Sequence, residues 1–280
     1  FGADIEIEGE VVFTTGMTGY LEILTDPSYY GQIVTFTFPL IGNYGVYAPK
    51  PFSDGANTSN STLLDQTFES SKIWVKGVIL TEFSHTYAHC KAFESFDAWL
   101  KRNNIPGLYG VDTRSVTKVL RSEGALLGGI GDTPKQPFSD PLNGRYVPEV
   151  SPPKFEILEP TKSIGKTIAF IDCGAKYGIF RNFLSRGIRV LRFPFDQNPF
   201  ESGEKFDGIF FSNGPGNPET LPETIAIARE ALERDIPLFG ICLGNQILAL
   251  AAGGKTKKMK YGHRGVNQPC QDTETKHCII

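Results

Sequence analysis

Residues 236–251 read IPLFGICLGNQILALA, and this stretch decides the fold. A short apolar run ends at Gly240, turns through Cys242 and Gly244, and resumes as an apolar-periodic segment. The layout predicts a strand, a sharp turn and a helix, with small residues beside Cys242 because the turn leaves no room for larger ones. A cysteine so placed stands over a helix N-terminus, where free amides and the helix dipole favour negative charge. The expectation is a nucleophilic thiol whose pKa is drawn from roughly 8.5 to about 7 or below. The alternative, on this segment alone, is a buried cysteine in an ordinary strand-to-helix turn.

Moving upstream, the same unit repeats from residue 166. TIAFIDCG (167–174), IRVLRFPFD (188–196) and FDGIFFSNGPG (206–216) read as strands, and YGIFRNFLSRG (177–187) and PETIAIAREALERD (222–235) as helices between them. Strands alternating with helices of this length predict a doubly wound parallel sheet. Ligands in such sheets bind beyond the carboxyl ends of the strands, where SNGPGNP (212–218) and ICLGNQ (241–246) both fall.

Residues 1–135 have another rhythm. GEVVFTT (9–15), GQIVTFTFP (31–39) and SKIWVKGVILTEF (71–83) are strand-like. Two helices are predicted among them. One is near SFDAWLKRNN, with Ser95 as cap and Phe96, Trp99 and Leu100 as its apolar face; the other is TRSVTKVLRSEG, capped at Asp112 or Thr113 and ended by Gly124. Prolines 137, 141, 148, 152, 153 and 160 then resist regular structure. The chain thus divides into a β-rich region at 1–140, a linker at 141–164 and an α/β region at 165–280.

The 280 residues suffice for two cores, and 28 basic against 31 acidic residues, without a long single-sign run, point to no nucleic acid and no membrane surface. No apolar stretch approaches the roughly 20 residues of a membrane span. The opening FGADIEIEGE is acidic and strand-like, not a signal peptide, and five scattered cysteines argue for a reducing, cytoplasmic setting. The triplets at Asn57 and Asn60 then read as loop composition only. Both ends read as cut in mid-pattern, with the final HCII as the opening of a strand.

In SNGPGNP, the amides of Gly214 or Gly216, with that of Leu243, are candidates for an oxyanion hole; the alternative is a tight strand-to-helix connection. Gly253-Gly254-Lys255-Thr256 mimics the end of a phosphate loop, but a helix precedes it and the first glycine is missing. His85, His89 and Cys90 have helical ligand spacing without a partner cluster, so no metal is expected. A cysteine hydrolase also needs a base, usually His oriented by a carboxylate. After Cys242 stand only His263 and His277, neither with an acidic residue two positions on.

GICLGNQ around Cys242 with the upstream SNGPG resembles class I (triad-type) glutamine amidotransferases. TGMTGYLEILTDPSY (15–29) and GQIVTFTFPLIGNYG (31–45) narrow this, resembling the small subunit or domain of glutamine-dependent carbamoyl-phosphate synthetase, and YGHRGVNQP (261–269) resembles eukaryotic pyrimidine-pathway forms more than bacterial ones. The resemblance implies a small-subunit N-terminal domain at 1–140 and an incomplete amidotransferase domain at 165–280. It implies hydrolysis of glutamine to glutamate and ammonia, which passes to a synthetase large subunit or fused synthetase domain. ATP and magnesium would belong to that partner, and this chain would need no cofactor. By motif position Cys242 would form a glutamyl thioester, and Gly214 and Gly216 would hold the substrate and oxyanion region. Leu243 and Gln246 would lie along the glutamine, and Ser28 would reach it from the N-terminal domain. The family's His-x-Glu pair and an AsnHisGly loop are expected after residue 280, so the chain alone should turn over little. Asn245 stands where bacterial members usually have His, and the retained Cys242 argues against the ammonia-dependent urea-cycle form. Two alternatives remain: a synthetase-docking scaffold without catalysis, and another elbow-cysteine hydrolase.

Overall fold

The computed structural model describes residues 1–50, 66–132, 138, 144–262, 264 and 269–279. The triplets at Asn57 and Asn60, and His263, lie outside them. Two five-stranded sheets organise the described residues. The first contains β1 (Ile7–Thr14), β2 (Gln32–Phe36), β3 (Gly77–Ile79), β4 (Gly107–Leu108) and β5 (Leu126–Ile130), in the order β4-β3-β2-β1-β5. It is parallel except for β5, which runs antiparallel to β1.

A parallel β1–β2 pair requires a crossover, which here carries α1 (Tyr20–Thr25) and a 3₁₀ turn at Pro27–Tyr29. Tyr20, Leu21 and Leu24 of α1 are buried in one core with Val34, Phe36, Val78 and Leu80. The helix α2 (Phe96–Arg102) adds its expected apolar face, Phe96, Trp99 and Leu100, to that core, and Ser95 Oγ accepts the Ala98 amide at 3.1 Å. The helix α3 (Thr113–Glu123) is capped by Asp112, whose carboxylate accepts from Ser115, and it ends at Gly124.

The second sheet has the order β6-β8-β7-β9-β10, built from β6 (Glu156–Leu158), β7 (Lys166–Asp172), β8 (Ile188–Pro194), β9 (Gly208–Phe211) and β10 (Leu238–Gly240). β7 through β10 are parallel, as the alternating pattern predicts. β6 departs from expectation: the proline-rich stretch supplies a short helix α4 (Val147–Val150) and then this antiparallel edge strand against β8. Prolines 148, 152, 153 and 160 stand outside the three paired residues of β6, so they remove no ladder donor.

Successive residues of β7 point to opposite faces. Ala169 and Ile171 pack with Ile227, Ala228 and Ala231 of α6 (Pro222–Glu233) and Leu243 and Ile247 of α7 (Leu243–Ala251). Phe170 faces Phe180 and Leu184 of α5 (Tyr177–Ser185) and stacks on Phe210 at 5.0 Å. The order places a topological switch between β7 and β9, since the chain leaves β7 for β8 on one side and returns to β9 on the other.

After α7 the chain turns back to the first sheet. Gly253, at φ +85°, donates to Leu250 O, and Gly254 donates to Ala249 O. This pair of bonds closes the helix, so the Gly-Gly-Lys-Thr stretch is a helix C-terminus and not a phosphate loop. Downstream, Lys260 O accepts from Ala125, Tyr261 contacts the Phe13 ring at 5.9 Å, and Arg264 O accepts from Thr14 Oγ1 at 3.1 Å.

Candidate active site

The turn after β10 has the expected form. Cys242 adopts φ +52°, ψ −108° as the N-cap of α7. For a residue other than glycine this backbone costs on the order of 1–3 kcal/mol and persists only where its surroundings hold it. The surroundings are the amides of Ile241, donating to Phe211 O, and of Gly244, donating to Ser212 O. The flanking glycines are required for space. A Cβ on Gly240 would meet Gly244 C at 2.5 Å, and one on Gly244 would meet Phe211 O at 2.2 Å.

The loops after β7, β9 and β10 converge at the switch point. Gly214 is pressed against the first of them, where an added Cβ would lie 2.1 Å from Cys173 O and 2.9 Å from Leu243 Cδ2. Gly214 and Leu243 are thus brought together, whereas Gly216, at φ +87°, lies beside the Tyr146 ring. Gln246 is exposed in the first turn of α7, its amide donating to Cys242 O.

Ser28 arrives from the other half of the chain, in the 3₁₀ turn of the β1–β2 crossover. Its Oγ accepts from Asn213 Nδ2 at 2.9 Å, and its amide donates to Asp26 at 2.9 Å. Asn213 is the hub of this junction: Nδ2 also donates to Gly174 O at 3.0 Å, and Oδ1 accepts the Lys176 amide.

The electrostatics correct the expected thiol. Cys242 reaches the surface, yet the protein packed around its sulfur removes enough water to push the pKa up, not down. The Leu243 amide bonds to the sulfur and pulls the other way, Asp26 adds to the rise, and Arg264 opposes it. Burial therefore outweighs the helix N-terminus. Burial likewise pushes the Asp26 carboxyl up against the opposing charge of Lys176, and lifts the Tyr29 phenol to about 12.

Asp26, Lys176, Asn213 and Arg264 are absent from the list of candidates drawn from sequence. Asp26 has a local signal, since it precedes Pro-Ser at a turn start where Asp commonly caps. Asn213 stands in the SNGPG loop already marked by its motif, whereas nothing local marks Lys176 or Arg264 as neighbours of Cys242 or Ser28. His85 packs against the Phe83 and Tyr109 rings, and His89 against Tyr47. Among the described residues, no trio of His, Cys, Asp or Glu side chains is grouped to hold a metal ion. Cys173 is buried, and burial pushes its thiol well up.

Comparison with known proteins matches residues 1–130 to the carbamoyl-phosphate synthase small chain, CPSase domain, and residues 169–280 to glutamine amidotransferase class-I. The chain is 45% identical over 285 residues to the multifunctional protein CAD of Squalus acanthias, aligning along its whole length with 12% of that protein. It is 43% identical over 287 residues to the carbamoyl phosphate synthase arginine-specific small chain of Saccharomyces cerevisiae, covering all of this chain and 68% of that one. It is 42% identical over 289 residues to the carbamoyl phosphate synthase small chain of Pyrococcus furiosus, covering all of this chain and 76% of that one. The chain belongs to the carbamoyl-phosphate synthase small-chain family and carries both its CPSase region and its class-I glutamine amidotransferase region.

Proposed function

We propose that this chain is the glutamine-hydrolysing component of a carbamoyl-phosphate synthetase, with Cys242 as nucleophile. The observation that carries this reading is the strained backbone of Cys242 on a strand-to-helix turn at the switch point of a parallel sheet. Its setting suits an amide substrate. The Cys242 sulfur attacks the carboxamide carbon, and the Leu243 amide with a neighbouring Gly214 amide stabilises the developing oxyanion. Collapse expels ammonia with a proton from the base, and water then splits the glutamyl thioester to glutamate, regenerating the thiol.

The raised thiol pKa makes that base essential, because little thiolate exists without a proton acceptor. On the family resemblance the base is the histidine of a His-x-Glu pair. Ser28, Gln246 and Gly216 are proposed as polar contacts along the bound glutamine. The proposal keeps the division at 140 and 165, with the nucleophile in the second region and Ser28 reaching it from the first. ATP and magnesium are assigned to the synthetase large subunit or fused synthetase domain, and the setting to the cytoplasm. Among the described residues no helix is long and apolar enough to cross a membrane. The relatives include arginine-specific small chains and multifunctional proteins, so both pathway settings stay within the proposal.

The test is glutamate release by the full polypeptide, with and without its synthetase. A slow glutaminase that accelerates when the synthetase is bound supports the proposal, since an uncoupled elbow would waste glutamine. Identical rates would count against the coupling, and no glutamate in either state against the activity.

A further inference from the structure

The two halves of the chain meet through a closed ring of hydrogen bonds, and Glu69 is its keystone. The helix α5 begins without a side-chain cap of its own. The cap amide and the first two helical amides are satisfied from elsewhere: Lys176 N donates to Asn213 Oδ1, Tyr177 N to Glu69 O, and Gly178 N to Glu69 Oε2 at 2.7 Å. Two of the three acceptors belong to a residue of the other half. Arg181, one turn along, completes the clasp by donating to Glu69 Oε1 at 3.0 Å and to Phe68 O at 3.1 Å. The pair is largely enclosed, with side chains 12% and 18% exposed, so solvent screens it little. Gly178 leaves room for the carboxylate, since a Cβ there would stand 3.0 Å from Glu69 Oε2.

On its own side Glu69 is tied to the end of α1. Its amide donates to Thr25 Oγ1 at 3.0 Å, and Ser70 Oγ donates to Thr25 O. Thr25 is followed by Asp26, Pro27 and Ser28, and Ser28 meets Asn213, which holds the Lys176 amide. The path from Glu69 through Thr25 to Ser28, across to Asn213, and back through Lys176 to Gly178 therefore closes on itself. Within it, Glu69 sets the spacing between the segment that carries Ser28 and the loop beside Cys242.

We infer that Glu69 is a positioning residue for glutamine: clasped to α5, it fixes where Ser28 stands relative to the Cys242 elbow, without touching the substrate itself. The inference rests on the reading of Cys242 as nucleophile and Ser28 as a glutamine contact. It assigns Glu69 to binding the amino-acid part of the substrate and not to the reactivity of the thiol.

The experiment compares two alkylating agents on Cys242 in the full polypeptide bound to its synthetase. A chloroketone analogue of glutamine needs the substrate pocket, whereas iodoacetamide needs only an accessible thiol. Glu69→Ala is expected to raise the half-saturating analogue concentration about tenfold, the factor corresponding to 1.4 kcal/mol, leaving the limiting rate unchanged. Iodoacetamide labelling should stay within about twofold, well under the 1.4 kcal/mol that a tenfold change represents. Glu69→Gln keeps an oxygen for the Gly178 amide and should restore part of the loss. Arg181→Met opens the clasp from the other side and should show the same split, which covers the case in which Glu69→Ala does not fold. Equal slowing with both reagents, or no change with either, overturns the inference. A wild-type protein whose Cys242 the analogue does not label overturns the glutamine reading and this inference with it.

Discussion

Adding one methyl group at Gly244 tests whether the elbow is held by close backbone approach. A Cβ there would lie 2.2 Å from Phe211 O and 2.7 Å from Phe211 C, both backbone atoms of β9 that no side-chain rotation can move. Real Cβ contacts essentially never fall below 3.0 Å, so β9 and the start of α7 must separate. The opening is roughly 1 Å, and overpacking of this kind typically costs about 1–3 kcal/mol. Midpoints shift by about 2–4 °C per kcal/mol in domains of 150–250 residues, so Gly244→Ala should melt several degrees lower. The larger effect falls on chemistry. The moved bond, Gly244 N to Ser212 O, ties the elbow to the SNGPG loop. A misplacement of about 1 Å can cost on the order of 100-fold in rate.

Gly253→Ala is the contrasting control, with backbone strain and no close contact. Unlike Gly244, it lies in left-handed backbone, at φ +85°, and nothing stands within 4 Å of its added Cβ. It should cost about 1 kcal/mol of stability through backbone strain alone. Glutaminase activity and Cys242 alkylation should be unaffected. The assay is calorimetry alongside glutamate release in the full polypeptide. Activity of Gly244→Ala equal to that of Gly253→Ala would refute the reasoning.

Charge around the thiol gives a second expectation. Burial and the Asp26 carboxylate both raise the Cys242 pKa, so Asp26→Asn should shift the pH profile of iodoacetamide labelling to lower pH; a shift upward would contradict the assigned sign. Asp26 also bears on stability. Its folded pKa is raised, so the folded state holds the proton more tightly and stability falls as pH rises above the unfolded value of about 3.9. Asp26→Asn should therefore raise the melting temperature at neutral pH and lose that gain below the ordinary carboxylate range; equal gains at both pH values would count against it. At the end of β7, Asp172 is fully buried, accepting from Arg192 Nε at 2.7 Å and from the amides of Gly174 and Ala175. Arg192→Met strands that charge and should destabilise by about 3–5 kcal/mol in urea denaturation. A loss below about 1 kcal/mol, the scale of an exposed pair, would show that the pair is solvent-screened.

The parallel sheet at 166–240 is legible in sequence because each strand is an apolar run and each helix carries its own stripe. β6 is not, since three residues on a sheet edge owe their conformation to docking on β8 and not to any local pattern. The six residues of α1 are too few to display a period, and their helix depends on burying Tyr20, Leu21 and Leu24. The elbow is readable because steric demands within a few residues select Gly240, Cys242 and Gly244. Ser28 is reached only through family resemblance, Asp26 only as a turn cap, and Lys176 and Arg264 not at all, because their roles exist only where two distant segments meet. The expected thiol pKa fails for the same reason. A helix N-terminus is a local feature, whereas the burial that outweighs it is contributed by the whole fold.

The proposed covalent glutamyl intermediate on Cys242 is open to direct observation. The direct measurement is peptide mass spectrometry of the full polypeptide, acid-quenched during turnover of isotopically labelled glutamine, in parallel with Cys242→Ser. A labelled glutamyl group on the peptide containing Cys242, with glutamate formation abolished in the serine variant, is the predicted result. Equal glutamate formation by the two proteins, or the label on another residue, would contradict it.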